Sequence, residues 1–202
     1  TMSRKYKIRD NERAYFVTFT VINWIDVFIR NEYRNVYIDS LKHCQQHKWL
    51  NIYAWCLMTS HAHLIVSSSS DLPLVGIIRD TKSFTSRHIR KIIEDKTAVG
   101  ESRREWMMGT MQRAGKQNSN NNDFQFWQQH NQPIVLDSSD IIDQKISYIH
   151  NNPVEAGFVK NPEGWKYSSA IDFTENGKGL LELATVQRDS EWCKRPACSS
   201  SF

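Results

Sequence analysis

Cysteine is scarce in this sequence: four in 202 residues (Cys44, Cys56, Cys193 and Cys198), with no Cys-x-x-Cys pair among them. That speaks against a disulfide framework and reads as reduced thiols in a cytoplasmic protein. Long apolar runs are missing too. No window approaches the roughly 18 consecutive apolar residues that a membrane-spanning helix needs. The basic start, Thr1 to Lys7, has no apolar stretch behind it and is not patterned as a secretory signal. Neither sign of charge dominates, since 26 Lys+Arg stand against 22 Asp+Glu for a net +4. Such an excess permits nucleic-acid binding without arguing for it. No internal repeat is present. What remains, 40% hydrophobic and 24% charged residues, is the composition of a globular chain. A domain of this length buries about 70% of its unfolded surface and needs no disulfide or metal staple.

Residues 14–22 are mostly β-branched and aromatic and read as a buried strand. From Asn31 to His47, Val36, Tyr37, Leu41 and Cys44 recur at helical spacing. Two further β-rich runs, Ile52–Met58 and His61–Val66, are separated by Thr59-Ser60, short enough for a hairpin turn. The strongest helical stripe follows: Leu74, Ile77, Ile78, Thr81, Phe84, Ile89, Ile92 and Ile93. Residues 101–114 predict a shorter helix that Gly115 would end. Lys116–Asp123 is a polar, Asn-rich loop, and residues 124–127 and 133–136 are short strand material. Asp137 or Ser138 would cap a last helix, ending near Asn151 because Pro153 follows. The order strand, helix, strand, strand, helix, strand predicts an α+β, ferredoxin-like (split βαβ) fold. Its antiparallel sheet would have helices on one face and the other face available for a ligand.

Three constellations carry chemistry. His61 and His63 are two apart on a strand, so both imidazoles project from one face while Ala62, Leu64 and Val66 take the other. Two such nitrogens are half a divalent metal site, although a bare His-x-His is more often only a hydrogen-bonded pair. On the last helix, Ile142, Ile146 and Ile149 follow core spacing. Ile141, Lys145, Tyr148 and Asn152 form a neighbouring, mostly polar stripe. A phenol has a pKa of about 10, so as a nucleophile it needs a basic neighbour or a polarised electrophile. Lys145 supplies the first and a metal at His61 and His63 the second. The plain alternative is an amphipathic tyrosine with a packed ring and a wet hydroxyl. The third feature is the basic face of the 74–95 helix, with Arg79, Lys82, Arg87 and Arg90. It suits either solvation or a DNA backbone. Any of the seven tryptophans is by default a core or rim residue. The sequence does not say which of them would stack on unpaired bases.

The run Trp55-Cys56-Leu57-Met58-Thr59-Ser60-His61-Ala62-His63-Leu64 resembles the strand-turn-strand motif of the HUH (His-hydrophobic-His) single-tyrosine transposases. Tyr148-Ile149-His150-Asn151-Asn152-Pro153-Val154-Glu155-Ala156-Gly157 is similar to the Tyr-Ile-His-x-Asn-Pro-Val signature of their REP-associated tyrosine transposase branch. Residues 79–86, Phe126-Trp127-Gln128 and Trp165-Lys166-Tyr167-Ser168-Ser169-Ala170 also fit that branch in position and order. The resemblance covers about residues 14–173. Thr59-Ser60 stands where Pro-Asn is frequent, which implies a different supporting hydrogen bond at the turn. His130-Asn131-Gln132-Pro133 replaces a more usual acidic segment.

The resemblance implies a single HUH-type domain over 1–175, with 176–202 as a partly irregular extension. It implies a metal-dependent endonuclease and strand transferase acting on hairpin-containing, REP-like single-stranded DNA through a 5′-phosphotyrosine intermediate. Tyr148 would be the nucleophile. His61, His63 and Asn152 would ligate Mg²⁺ or Mn²⁺, and Lys145, Arg79, Lys82, Arg87 and Arg90 would serve phosphate or DNA binding. Some relatives exchange the tyrosine helix between subunits and others act alone, so monomer and homodimer both stay open. Two alternatives remain: a hairpin-DNA binder whose chemistry has decayed, and a Zn²⁺ hydrolase needing one more Asp, Glu, His or Cys ligand near the histidines.

Overall fold

The protein is described as a computed structural model covering residues 8, 10–95, 97, 100–118, 123–129 and 132–185. Four strands form one sheet in the order β2-β3-β1-β4: β1 (Tyr15–Thr20), β2 (Leu50–Leu57), β3 (His61–Ser68) and β4 (Ile134–Val135). Every neighbouring pair is antiparallel. β1 and β2 are therefore parallel with β3 inserted between them, the split βαβ arrangement that the element order predicts. The helices are α1 (Asn31–Lys48), α2 (Leu74–Glu94), α3 (Arg104–Lys116) and α4 (Ser139–Glu155).

Period-two alternation sends one set of side chains to each face. Tyr15, Val17 and Phe19 of β1 and Ala62, Leu64 and Val66 of β3 join the buried residues of α1, α2 and α3 in the larger core. Phe16 and Ile65 face the other way, into a smaller core with Ile142, Ile146 and Ile149 of α4. The expectation of helices on one face is thus corrected. α1 and α2 share a face, whereas α4 lies across the opposite one, because its Ile142-Ile146-Ile149 stripe needs a partner and that face offers Phe16, Ala54, Cys56 and Ile65. On β2 the register shifts between Ile52 and Ala54. The extra residue lets Ile52 and Trp55 serve the same core although they are three apart.

Several boundaries differ from expectation for local reasons. Thr59-Ser60 is a hairpin turn, closed by Met58 N–H donating to the His61 carbonyl at 2.8 Å. Ser138 caps α4 through its hydroxyl, which accepts from Ile141 N–H. Pro153 does not end this helix. Termination falls at Gly157, at φ 75°, where Phe158 N–H reaches the Pro153 carbonyl and Gly157 N–H the Val154 carbonyl, both at 2.9 Å. That pair of bonds is a Schellman cap, which a glycine favours. Gly115 lies inside α3 instead of after it, and a Cβ there would stand 2.3 Å from the Phe124 backbone nitrogen. Phe84, expected in the apolar stripe of α2, is 37% exposed and stacks on His88. Leu181 is buried in the larger core, and Ala184 N–H donates to Ile52. Residues 186–202, including Cys193 and Cys198, and residues 119–122, 130 and 131 lie outside the described residues. Cys44 and Cys56 are buried free thiols, with burial pushing Cys56 up to about 12. No helix of the described residues is long and apolar enough to cross a membrane.

Candidate active site

The two histidines of β3 point to the α4 face of the sheet, where His63 is buried and His61 half-buried. β1 pairs Thr18 with His63 and Thr20 with His61. The Thr18 hydroxyl and His63 Nδ1 are 2.9 Å apart, and the Ser60 hydroxyl lies 3.2 Å from His61 Nδ1. With Nδ1 engaged in both rings, Nε2 of His61 is the nitrogen left for a ligand, whereas His63 also hydrogen-bonds Asn152, a bond that a metal ion would replace. The imidazole centroids are 4.8 Å apart. Burial pushes the His63 pKa down to about 3, helped by His61 and Lys145 and opposed by a hydrogen bond with Asn152. Burial also lowers His61, with Asp26 opposing. Both rings are therefore neutral near pH 7, the form that binds metal.

Helix α4 brings the rest. The Tyr148 ring meets the His63 ring edge-on at 5.4 Å between centroids and is 43% exposed. Phe16 lies beneath both, 5.5 Å from His63 and 6.0 Å from Tyr148. One turn before Tyr148, Lys145 Nζ lies 4.9 Å from the Phe16 centroid and 5.4 Å from the Tyr148 centroid. One turn after, the Asn152 amide nitrogen donates to the Tyr148 carbonyl at 2.7 Å, which leaves its oxygen for His63. The structure therefore brings together His61, His63, Tyr148, Asn152 and Lys145 within a single chain.

The predicted DNA-contact residues of α2 are not part of this cluster, because α2 packs on the other face. Lys82 Nζ donates to the Gln128 carbonyl at 2.8 Å and lies over the Phe19 ring, with burial lowering its pKa to about 8. Arg90 pairs with Glu94 at 2.8 Å and with Asp123 at 3.2 Å. Arg79 and Arg87 are exposed. Arg79, Lys82 and Arg87 line a groove of about 490 Å³ with Phe126, Trp127 and Gln128.

A second set of bonds fixes α4 to the sheet. Residues 165–169 run along the edge of β2, with Leu57 N–H donating to Tyr167 at 2.8 Å and Ser169 N–H to Trp55 at 2.9 Å. Buried His150 meets the Ser169 hydroxyl at 2.8 Å, so this histidine anchors the tyrosine helix and takes no part in the cluster. At the turn, Thr59 Oγ1 donates to Asp26 at 2.6 Å. Thr18 and Phe16 were not singled out in the sequence. Their signal was the alternation of hydroxyl and apolar residues along β1, interpretable only once the strand pairing is known.

The donor set can be tested against a metal. Two neutral imidazoles and one amide oxygen make a mixed nitrogen and oxygen donor set that fits a divalent ion whose remaining positions are filled by water and a phosphate oxygen. Among the described residues no group of three His, Cys, Asp or Glu could hold an ion, so none of them supplies the further ligand that the zinc-hydrolase alternative requires.

Residues 13–121 match the profile of a family described as IS200-like transposases. That span contains the histidine pair and stops before Tyr148. No curated protein matches the sequence. Among solved structures, a REP-associated tyrosine transposase bound to a REP hairpin aligns with a TM-score of 0.57 at 16% identity, over 94% of this chain and 96% of that one. Identity that low supports the fold alone.

Proposed function

The chain belongs to the IS200-like transposase family, and from that premise we propose that it is a metal-dependent single-strand DNA endonuclease and strand transferase acting on hairpin-containing DNA. The observation that carries this reading is the meeting of the Tyr148 and His63 rings at 5.4 Å, beside His61 and Asn152. His61, His63 and Asn152 are the residues that would hold Mg²⁺ or Mn²⁺, with Thr18 and Ser60 orienting the two rings. When bound there, the ion withdraws charge from the scissile phosphoryl group. Tyr148 attacks phosphorus with its hydroxyl oxygen as the bond to the 3′ oxygen breaks. The phenol loses its proton, the departing 3′ oxygen gains one, and the downstream strand stays on Tyr148 as a 5′-phosphotyrosine. Lys145 places its ammonium beside the Tyr148 ring, where it holds a phosphate oxygen of the bound strand. Because the phosphodiester energy is kept in that link, a later 3′-OH can attack it and rejoin strands. Hairpin recognition, by analogy with the solved neighbour, would draw on Arg79, Lys82 and Arg87, with Arg90 restrained by its two acidic partners.

The test is incubation with a library of 3′-labelled single strands carrying hairpins, in Mn²⁺, resolved on a denaturing gel. A covalent protein–DNA band that EDTA prevents is expected. Retardation on a native gel without any covalent band in Mn²⁺ or Mg²⁺ would instead identify a hairpin binder that has lost its chemistry.

A further inference from the structure

Next to the cluster, Ile22–Ile25 make a tight turn closed by Ile25 N–H donating to the Ile22 carbonyl at 3.3 Å. Both central residues are left-handed, Asn23 at φ 52° and Trp24 at φ 55°. Turns of this primed kind favour Asn-Gly. Asn23 suits its place, but Trp24 occupies the one where glycine would be free of strain, and a bulky side chain at positive φ is strained. The surroundings hold it there. Val21 N–H donates to Ser60 at 2.9 Å and Ile22 N–H to Phe126 at 2.8 Å. Val21 and Ile25, on either side, are 0% and 3% exposed, whereas Trp24 is 58% exposed. Its ring stands edge-on to His61, 5.2 Å between centroids. Trp49 offers a contrast. It too is exposed and left-handed, but it ends α1, its N–H donating to the Cys44 carbonyl, and helix termination accounts for its backbone. No such account applies to Trp24.

We propose that Trp24 is a stacking platform for an unpaired base beside the cleaved phosphate. The inference rests on the nuclease reading of the His61–Tyr148 cluster and adds a substrate contact to it. An indole face accepts any base by stacking, so the contact is tolerant of sequence. A base inside a duplex has both faces occupied, so the same contact selects single-stranded DNA at the cut. The strained turn is then what keeps a large apolar ring pointing into solvent at the rim of the site.

The experiment is a protein-by-DNA cycle. The cut is first mapped from the wild-type adduct, and abasic sites are then placed singly at the nucleotides flanking it. Wild type is expected to lose roughly ten- to a hundred-fold in kcat/KM at one of these positions. Trp24→Ala should lose a similar factor on intact DNA and nothing further on that abasic strand, while Trp24→Phe retains most of the activity. Trp24→Gly supplies the residue the turn prefers, and should melt no lower than wild type while cleaving as poorly as Trp24→Ala. Losses that multiply between Trp24→Ala and every abasic site, or wild-type cleavage by Trp24→Ala, would overturn the platform. A wild-type protein that forms no adduct would instead remove the nuclease reading, and this inference with it.

Discussion

On β3, Ala62, Leu64 and Val66 are 1%, 2% and 2% exposed in the larger core, while His61 and His63, one residue out of phase, face the opposite side with Phe16 and Tyr148. The two faces of the sheet come from alternate residues of the same strands, yet one carries the larger core and the other a smaller core with a polar cluster beside it under a single helix. The difference teaches where the site gets its geometry. Thr18 lies opposite His63 only in the register that also buries Val17 and Leu64, and a slip of one residue would exchange the faces. The apolar face therefore fixes the alignment that the polar face uses. Because the larger core lies on one side and the chemistry on the other, substitutions in that core and in the cluster should separate stability from cleavage.

The largest separation is expected at His63. His63→Ala should lower metal-dependent cleavage by at least about 100-fold while hairpin retardation by the folded protein stays close to wild type. Cleavage at the wild-type rate would break the comparison. Leu64→Ala, the adjacent residue, should do the reverse. It should cost about 2–5 kcal/mol in denaturant unfolding, with adduct formation by the folded protein changed by less than about threefold. The smallest effect concerns the rim of the covered face, where Glu101 meets Arg30 and Arg103, each at 3.0 Å. Burial raises the Glu101 pKa, but hydrogen bonds from Arg103 and Arg30 outweigh it and hold the carboxyl at about 2, below its ordinary 4.5. A folded-state pKa below the unfolded value adds stability that is present above pH 4.5 and is lost as pH falls towards 2. Glu101→Gln should flatten that acid limb in urea midpoints measured between pH 5 and 2. An acid limb identical to wild type would remove Glu101 from the account.

The parts of the molecule legible in the sequence are those written in local periodicity. α2 and the Ile142-Ile146-Ile149 stripe of α4 were readable because 3.6-residue spacing is a short-range signal, and His61 and His63 share a face for the equivalent reason on a strand. The resemblance to the HUH transposases joined Tyr148 to that pair, which periodicity alone does not. What stayed hidden depends on contacts distant in sequence. The covering of the histidine face by α4, the run of residues 165–169 along β2, and the commitment of Lys82 to the Gln128 carbonyl are of this kind. Pro153 misled for another reason. A proline in the last turn forfeits only one hydrogen bond, and the Gly157 cap two residues beyond the helix sets its end. Trp24 was indistinguishable from the other tryptophans until its backbone and exposure were known.

The most direct test of the central claim is to digest the covalent DNA adduct, trim it with nuclease and locate the nucleotide-bearing peptide by mass spectrometry. The account predicts a phosphodeoxynucleotide on the peptide that contains Tyr148, formed in Mn²⁺ and absent from Tyr148→Phe. A nucleotide on any other residue, or an adduct that survives Tyr148→Phe, would contradict it.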